Sequence, residues 1–139
     1  MTKREIAFFK TAEAISKLSD HKQKIGCVIV NKHRIISSGY NSKTKRHKIQ
    51  AVIDKERFGC DCDGKIHSET TALLPLIKSK VDLSRASIYV FRAHKDGTIA
   101  MARPCSGCMK LIKMYGIKNI YYTSPDGYCK ERLYYYNTK

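Results

Sequence analysis

Apolar residues recur at intervals of three to four positions near the start of the chain: Phe8, Phe9, Ala12, Ile15 and Leu18. This spacing places them on one side of a helix, so it predicts an amphipathic helix over residues 3–19. Thr2 and Glu5 stand at the N-cap and third helical positions, where their side chains can form a capping box. The chain is therefore predicted to open with a helix that buries one face.

Apolar runs of strand length follow this helix. Predicted strands span residues 25–30, 34–40, 87–92, 117–123 and 128–136. Residues 31–33 separate the first two strands and predict a hairpin. Ser124, Pro125, Asp126 and Gly127 are turn-forming residues, so the last strand is expected to fold back beside the preceding one.

Two more helices are predicted, over residues 68–80 and 105–115. Pro75 lies inside the first and removes a backbone hydrogen bond, so we expect it to kink or divide that helix. Gly116 stands where it can end the second helix. Residues 41–66 lack a regular period, and we expect a long loop or insertion there, close to a functional site.

The composition is that of one globular domain. The chain has 139 residues, 42% of them hydrophobic and 28% charged, which excludes a disordered tail and a small disulfide-stabilised fold. Its longest apolar stretches are too short to cross a bilayer, and no signal peptide is evident. The alternation of helices and strands predicts a single α/β domain over residues 1–139, in the cytoplasm and without a membrane partner.

The charge is unusual for a domain of this size. Twenty-seven Lys and Arg residues oppose twelve Asp and Glu residues, which gives a net charge of +15 and an isoelectric point near 9.7. Such an excess favours binding to polyanions, because each phosphate contact releases counterions. A basic surface that only maintains solubility is the alternative. Candidate phosphate contacts lie in the densest basic run: Lys43, Lys45, Arg46 and Lys48.

Three residues offer the ligands of a metal site: His67, Cys105 and Cys108. One imidazole and two thiolates suit tetrahedral zinc and leave its fourth position open for water. The two cysteines are three residues apart at a predicted helix start, so both sulfur atoms can face the same way. Bound zinc lowers the pKa of water toward about 7, and Glu69 can carry the proton. The set therefore favours catalytic zinc.

Other interpretations of the cysteines exist. A Cys-x-x-Cys pair can be a redox pair or half of a structural zinc site. Cys60 and Cys62 can supply two further ligands and so close the site. Against both, His-x-Glu followed by Pro-Cys-x-x-Cys is the signature of zinc nucleobase deaminases. We therefore favour an open, catalytic site.

Over nearly its whole length the chain resembles the cytidine and deoxycytidylate deaminase superfamily, and especially the short deoxycytidylate-deaminase-like proteins of bacteria and phages. The matching segments are residues 39–41, 67–69, 103–108 and 116–122. This resemblance implies a three-layer α-β-α fold with a mixed five-stranded sheet. For a phage-encoded protein, the expected location is the host cytoplasm.

The resemblance also implies roles for individual residues. His67, Cys105 and Cys108 would bind zinc, Glu69 would move protons, and Asn41 would contact the sugar of the substrate. Further substrate-binding candidates are Tyr40, Ser68 and Pro104. Ser68 departs from the family, in which alanine is usual, but a small serine should be tolerated there.

The expected reaction is hydrolytic conversion of cytosine to uracil, and the sequence leaves two kinds of molecule as carriers of the cytosine. The resemblance favours free deoxycytidylate (dCMP), whereas the charge favours single-stranded DNA or RNA, toward which we lean slightly. Tyrosines that can stack on exposed bases are Tyr121, Tyr122, Tyr128 and Tyr134 to Tyr136. A purine deaminase and a non-catalytic, zinc-containing nucleic-acid-binding module are further alternatives. A homo-oligomer is compatible with the sequence.

The sequence also offers residues for a second, structural zinc ion. Cys60 and Cys62, with His47 nearby in sequence, can contribute to such a site. Two ligands separated by one residue form an awkward tetrahedral pair, so we favour two unpaired thiols.

Overall fold

The computed structural model describes residues 1–55 and 66–133. In chain order, the helices and strands of these residues are α1 (Lys3–Ser16), β1 (Ile25–Asn31), β2 (Arg34–Tyr40), α2 (Lys48–Lys55), α3 (Ser68–Lys78), β3 (Ala86–Arg92), α4 (Ser106–Met114), β4 (Asn119–Ser124) and β5 (Gly127–Arg132). No helix among the described residues is both long enough and apolar enough to cross a membrane.

Within the described residues, five strands form one sheet in the order β2-β1-β3-β4-β5. β3 and β4 are parallel, and the other neighbouring pairs are antiparallel. The predicted mixed five-stranded sheet is therefore confirmed.

Helices cover both faces of this sheet. On one face, α1 buries Phe9 completely against Tyr89 and Tyr121. On the other face, α3 and α4 bury Leu73 and Ile112. Each such side chain contributes about 1.5–3 kcal/mol when it is fully buried. The structure thus has the three α-β-α layers that the resemblance implies.

The chain connections bring the starts of α3 and α4 together. Residues 79–85 form a short link from α3 to β3, so the helix runs opposite to the strand and begins near the strand's carboxyl end. Residues 93–105 then lead from that same end of β3 into α4. Side chains at the beginnings of the two helices can therefore meet at one edge of the sheet.

The first helix is shorter than predicted. α1 ends at Ser16 instead of residue 19, and Leu18 is 62% exposed although the pattern places it on the buried face. The side chain of Ser19 is turned inward, where its hydroxyl donates to the backbone oxygen and to Oδ1 of Asn41. This long-range contact stabilises a chain direction that a continued helix would not allow. The predicted capping box of Thr2 and Glu5 is present.

The prediction of a loop over residues 41–66 is wrong for residues 48–55, which form α2. Ile49 of this helix packs against the core of the α3 and α4 face. Gln50 is completely buried and bonded to the start of α3. The helix is thus anchored by contacts with residues distant in sequence, which the local pattern does not reveal.

Pro75 does not divide its helix, because α3 continues through it to Lys78. The proline lies on the exposed side of the helix, away from the sheet. Gly116 has φ = 90° and follows the end of α4, as predicted. β5 pairs with β4 as the turn at Ser124–Gly127 predicts, and it ends at Arg132 instead of residue 136.

Candidate active site

The three predicted metal ligands meet at the beginnings of α3 and α4. Nδ1 of His67 lies 3.3 Å from Sγ of Cys108 and 3.7 Å from Sγ of Cys105. All three potential ligand atoms lie within 4.8 Å of one another. Among the described residues, this is the group of histidine, cysteine and acidic side chains that can hold a metal ion.

The donor set and its spacing fit zinc. Zinc–sulfur bonds of about 2.3 Å and zinc–nitrogen bonds of about 2.0–2.1 Å at tetrahedral angles separate N from S by about 3.6 Å. The two nitrogen–sulfur distances lie close to this value. One imidazole and two thiolates also leave a fourth position for a small ligand.

The start of α4 prepares Cys105 to act as a thiolate ligand. Cys105 is the N-cap of the helix, and its sulfur accepts a hydrogen bond from the backbone N–H of Cys108 at 3.4 Å. The Cys108 thiol donates a hydrogen bond to the same sulfur. This bond and the interaction with His67 lower the pKa of Cys105 to about 4. That same bond, together with burial, raises the pKa of Cys108.

His67 is the N-cap residue of α3, but its side chain does not cap the helix. The buried amide of Gln50 fixes the backbone at this point, since its Oε1 accepts from the His67 N–H at 3.1 Å. The same oxygen accepts from the Thr70 hydroxyl at 2.6 Å. The Thr70 oxygen lies 4.0 Å from Sγ of Cys108. Gln50 thus connects α2 to His67 of the ligand cluster and to Thr70 beside it.

Glu69 lies in the first turn of α3 and is only 5% exposed. Burial raises the pKa of its carboxyl group, while a hydrogen bond from the Ser68 hydroxyl and the nearby His67 act in the opposite direction. Gly39 of β2 packs directly on this turn, and a side-chain carbon on Gly39 would lie 2.5 Å from the Ser68 carbonyl oxygen. Backbone contact between β2 and α3 thus fixes the position of the carboxylate.

A cavity of about 290 Å³ opens over the ligand cluster. Its wall contains Glu69, His67 and Cys105 together with residues from the chain before β1, the end of β2 and the chain before α4. Three basic or partly basic side chains also line it: His21, Arg92 and Arg103. The cavity therefore places a buried carboxylate, a metal-ligand set and cationic groups around one space.

The sequence profile of the family described as the cytidine and deoxycytidylate deaminase zinc-binding region matches residues 2–124. This match covers most of the 139 residues. The chain belongs to the cytidine and deoxycytidylate deaminases. These are zinc-dependent hydrolytic deaminases, so the expectation of a zinc enzyme is confirmed, and His67, Cys105 and Cys108 form its candidate zinc site.

Solved structures share the fold of this deaminase. The dCMP deaminase of cyanophage S-TIM5 in apo form has a TM-score of 0.62 at 24% identity, over 89% of this chain and 86% of the phage chain. The structure of the same phage enzyme in complex with dCMP and dUMP has a TM-score of 0.60 at 24% identity, over 89% of this chain and 84% of the phage chain. Cytidine deaminase from Burkholderia pseudomallei has a TM-score of 0.64 at 14% identity, over 95% of this chain and 93% of the bacterial chain. A search of curated protein sequences gives no significant match.

The predicted sugar contact, Asn41, is buried in the cavity wall of the deaminase. Its Oδ1 accepts from the Ser19 hydroxyl and from the Ile25 N–H at 2.9 Å, and its Nδ2 donates to the Gln23 carbonyl at 2.7 Å. An amide has two N–H donors, and contact of the second one with a substrate stays a prediction. In this structure, the side chain organises the segment between α1 and β1.

The other predicted substrate-binding residues occupy different places. Ser68 is buried, lines the cavity and hydrogen-bonds to Glu69. Tyr40 and Pro104 are neighbours of lining residues, but they do not line the cavity themselves. Substrate contact by any of these three residues stays a prediction.

The predicted phosphate contacts are exposed but stand apart from the cavity. Lys43, Lys45, Arg46 and Lys48 do not line it. Asp20 accepts a hydrogen bond from the Lys43 backbone N–H at 3.0 Å, which holds the start of this basic run. Their role in phosphate binding stays a prediction.

His21, Gln50 and Arg92 are among the residues of the site that the sequence did not indicate, and Arg103 was part of a matching segment without a predicted role. Arg92 ends β3, and the ends of strands commonly carry binding residues in α/β folds. Arg103 stands two residues before the first cysteine ligand, and its guanidinium donates twice to Glu131 at 2.9 Å. Gln50 gave no local signal, because its bonds are to residues at least 17 positions away.

The second zinc site falls largely outside the described residues, since Cys60 and Cys62 are not among them. His47 is described, and its Nδ1 accepts from the Ile49 N–H at 3.1 Å. The preference for two unpaired thiols stays a prediction.

Proposed function

We propose that this protein hydrolyses cytosine to uracil and ammonia in a nucleotide, and that the cytosine is carried by single-stranded DNA or RNA. The observation that carries the reaction is the shared cavity, in which the buried carboxylate of Glu69 adjoins His67 and Cys105. A carboxylate that is not a metal ligand, placed beside an open ligand set, is what zinc nucleobase deaminases use.

His67, Cys105 and Cys108 would hold the zinc ion, which, when bound, supplies a Lewis acid that activates water near neutral pH. Glu69 accepts a proton from the water that attacks C4 of the base. It then delivers that proton to N3, and a further proton transfer through Glu69 lets the amino group leave as ammonia. Burial raises the pKa of Glu69 and so makes its protonated form easier to reach.

The positive charge supports a polynucleotide as the carrier of the cytosine. The chain has a net charge of +15, and Arg92 lies in the wall of the cavity. Arg103 lies there too, but its guanidinium is paired with Glu131. A strand presents a phosphate on each side of the target nucleotide, so it can use more of these charges than a mononucleotide can.

The tyrosines give less support to a strand than the sequence suggests. Tyr121 is 6% exposed and stacks on Tyr89 with ring centres 4.1 Å apart. Tyr128 stacks on Phe9 at 4.3 Å, and Tyr122 hydrogen-bonds to Glu131. Residues 134–136 lie outside the described part of the chain. The proposal therefore rests on charge instead of base stacking.

Free dCMP is the second candidate substrate. The cyanophage S-TIM5 protein that shares the fold is a dCMP deaminase, and one of its structures contains dCMP and dUMP. The cavity of about 290 Å³ is at the small end of the range for ligand sites, which suits a single nucleotide.

The deciding experiment is a side-by-side deamination assay. The zinc-loaded protein is incubated with dCMP, with a short single strand that contains one cytosine, and with strands that contain adenine or guanine as the only target base. Glu69→Gln serves as the matched inactive control. We expect uracil to form in the cytosine strand. If only dCMP is deaminated, to dUMP, the substrate is a free nucleotide and not a strand. Deamination of a purine, or no deamination of any substrate, would contradict the proposed reaction.

A further inference from the structure

A second cavity, of about 460 Å³, lies next to the active-site cavity. We call it the basic groove, and its lining residues are Lys22, Gln23, Lys24, Arg92, Ala93, His94 and Lys95. Gln23 and Arg92 also line the active-site cavity. The two spaces are therefore neighbours that share part of their walls.

The pairing of β1 with β3 explains how the basic groove forms. Ile25 at the start of β1 pairs with Arg92 at the end of β3. Because the strands are antiparallel, the chain entering β1 and the chain leaving β3 lie side by side at this end of the sheet. Residues 22–24 and 93–95 thus face the same space from two separate segments.

Asn41 holds one side of the basic groove in place. Its side chain bonds to the Ser19 hydroxyl, the Gln23 carbonyl and the Ile25 N–H, which lie before, within and after the lysine-bearing segment. A residue in the wall of the active site therefore also fixes the positions of Lys22 and Lys24.

The basic groove is positively charged. Lys22, Lys24, Arg92 and Lys95 are its charged lining residues, and its lining contains no aspartate or glutamate. The acidic residues closest in sequence do not line the groove, and both accept hydrogen bonds. Asp20 accepts hydrogen bonds from Lys43 and Thr44, and Asp96 accepts two from Thr98.

We propose that the basic groove binds the sugar-phosphate backbone of the single strand whose cytosine occupies the active site. This inference rests on the proposed function and names the path of the flanking nucleotides. Arg92 lies on the shared wall, so it is placed for the phosphate next to the target nucleotide. Its guanidinium has five donors, of which one bonds to the Met101 carbonyl at 3.3 Å. Lys22, Lys24 and Lys95 then meet the following phosphates.

The test measures binding of a fluorescent oligothymidylate strand at several salt concentrations. Thymine has no amino group to remove, so binding is read without any reaction. The variant is Lys22→Gln/Lys24→Gln/Lys95→Gln, and the control is Lys10→Gln/Lys17→Gln/Lys118→Gln, which removes three exposed charges away from both cavities. Circular dichroism verifies that both variants fold.

A plot of the logarithm of the binding constant against the logarithm of the salt concentration has a negative slope. We expect this slope to become less steep by about two units in the groove variant, at roughly 0.7 per lost phosphate contact on a single strand. The control should keep the slope of the unmodified protein. Equal slopes in the two variants would overturn the proposal. So would strong binding of inorganic tripolyphosphate without strand binding, since this result would assign the groove to a short polyphosphate.

The failure of this inference can be distinguished from failure of the proposed function. The same proteins are assayed with dCMP, whose single phosphate does not require the three lysines. If the groove variant turns over dCMP normally and its strand binding keeps the salt dependence of the unmodified protein, the groove does not bind the strand. Cytosine deamination would then still be supported. A second outcome is that the groove variant shows a less steep salt dependence of strand binding, while the unmodified protein deaminates no cytosine substrate. This result would support a strand-binding groove and refute the deamination.

Discussion

The side-chain oxygen of Gln50 accepts a hydrogen bond from the backbone N–H of His67 at 3.1 Å. Because Gln50 is completely buried, no water replaces this bond if it is lost. The helix α2, within a segment predicted to be a loop, thus positions a candidate zinc ligand at the start of α3.

Replacing Gln50 with leucine should therefore weaken both the fold and the zinc site. The His67 N–H and the Thr70 hydroxyl would lose their acceptor, at a cost of about 1–3 kcal/mol in unfolding free energy. Zinc affinity should fall about 10- to 100-fold, as for other residues that orient metal ligands. Urea unfolding of the metal-free protein and competition with a zinc chelator measure the two effects.

The control for Gln50 is Thr70→Val, which removes one donor and leaves the bond to His67 intact. Adding it to Gln50→Leu should cost less than the sum of the two single changes, because the residues share one hydrogen bond. An unchanged zinc affinity in Gln50→Leu would show that the residue acts on the fold alone.

Cys105→Ser should remove the zinc. The substitution takes away one of three ligands and the thiolate that the start of α4 stabilises. Metal analysis of the purified variant should show less than a tenth of the zinc of the unmodified protein. Cys129→Ser is the matched control, since Cys129 lies outside the cluster on β5, and it should retain the metal. Full retention of zinc in Cys105→Ser would contradict the ligand assignment.

Glu69→Gln should keep the zinc and the fold while it abolishes deamination. Glutamine preserves the shape of the buried side chain but cannot accept and return a proton at the base. General acid–base catalysis contributes about 10²- to 10⁴-fold, so turnover should fall at least by this factor. Rates are compared at equal zinc content, and turnover within tenfold of the unmodified protein would mean that another group moves the proton.

The zinc content should be close to one ion per chain. The described residues contain one three-ligand cluster, and Cys60 and Cys62 form an awkward tetrahedral pair. Cys62→Ser should leave the ratio unchanged. A ratio near two that falls to one in this variant would establish a second, structural site.

Stability should decline at high pH, and Tyr89 should contribute to this decline. Burial raises the pKa of its hydroxyl from 10.0 to about 12. Between these pH values the unfolded chain releases the proton while the folded chain keeps it, so the unfolding free energy falls as pH rises. Tyr89→Phe should reduce this fall, as urea unfolding at pH 9 and pH 11 would show. Identical pH dependence in the two proteins would exclude Tyr89 as its source.

The zinc ligands were predictable because their chemistry is local. The spacing of Cys105 and Cys108 and the identity of His67 already define a ligand set, and the structure brings the three atoms together. The regular apolar spacing that contains Phe9 likewise predicts α1, whose inward side chains follow it.

The rest could not be predicted, because it depends on contacts between distant segments. The end of α1 is set by Ser19 bonding to Asn41, and α2 by Gln50 bonding to His67. Arg92 was correctly placed in a strand, but its position beside the cavity depends on the pairing of that strand with β1.

The contact of Gly39 with the Ser68 carbonyl has a consequence for directed evolution of this enzyme. Any side chain at Gly39 would push β2 away from α3, and with it the turn that carries Glu69. Libraries that seek a new base or a larger substrate should therefore keep Gly39 fixed. They should vary Met101 instead, since this exposed residue lines the same cavity and does not belong to the backbone contact between β2 and α3.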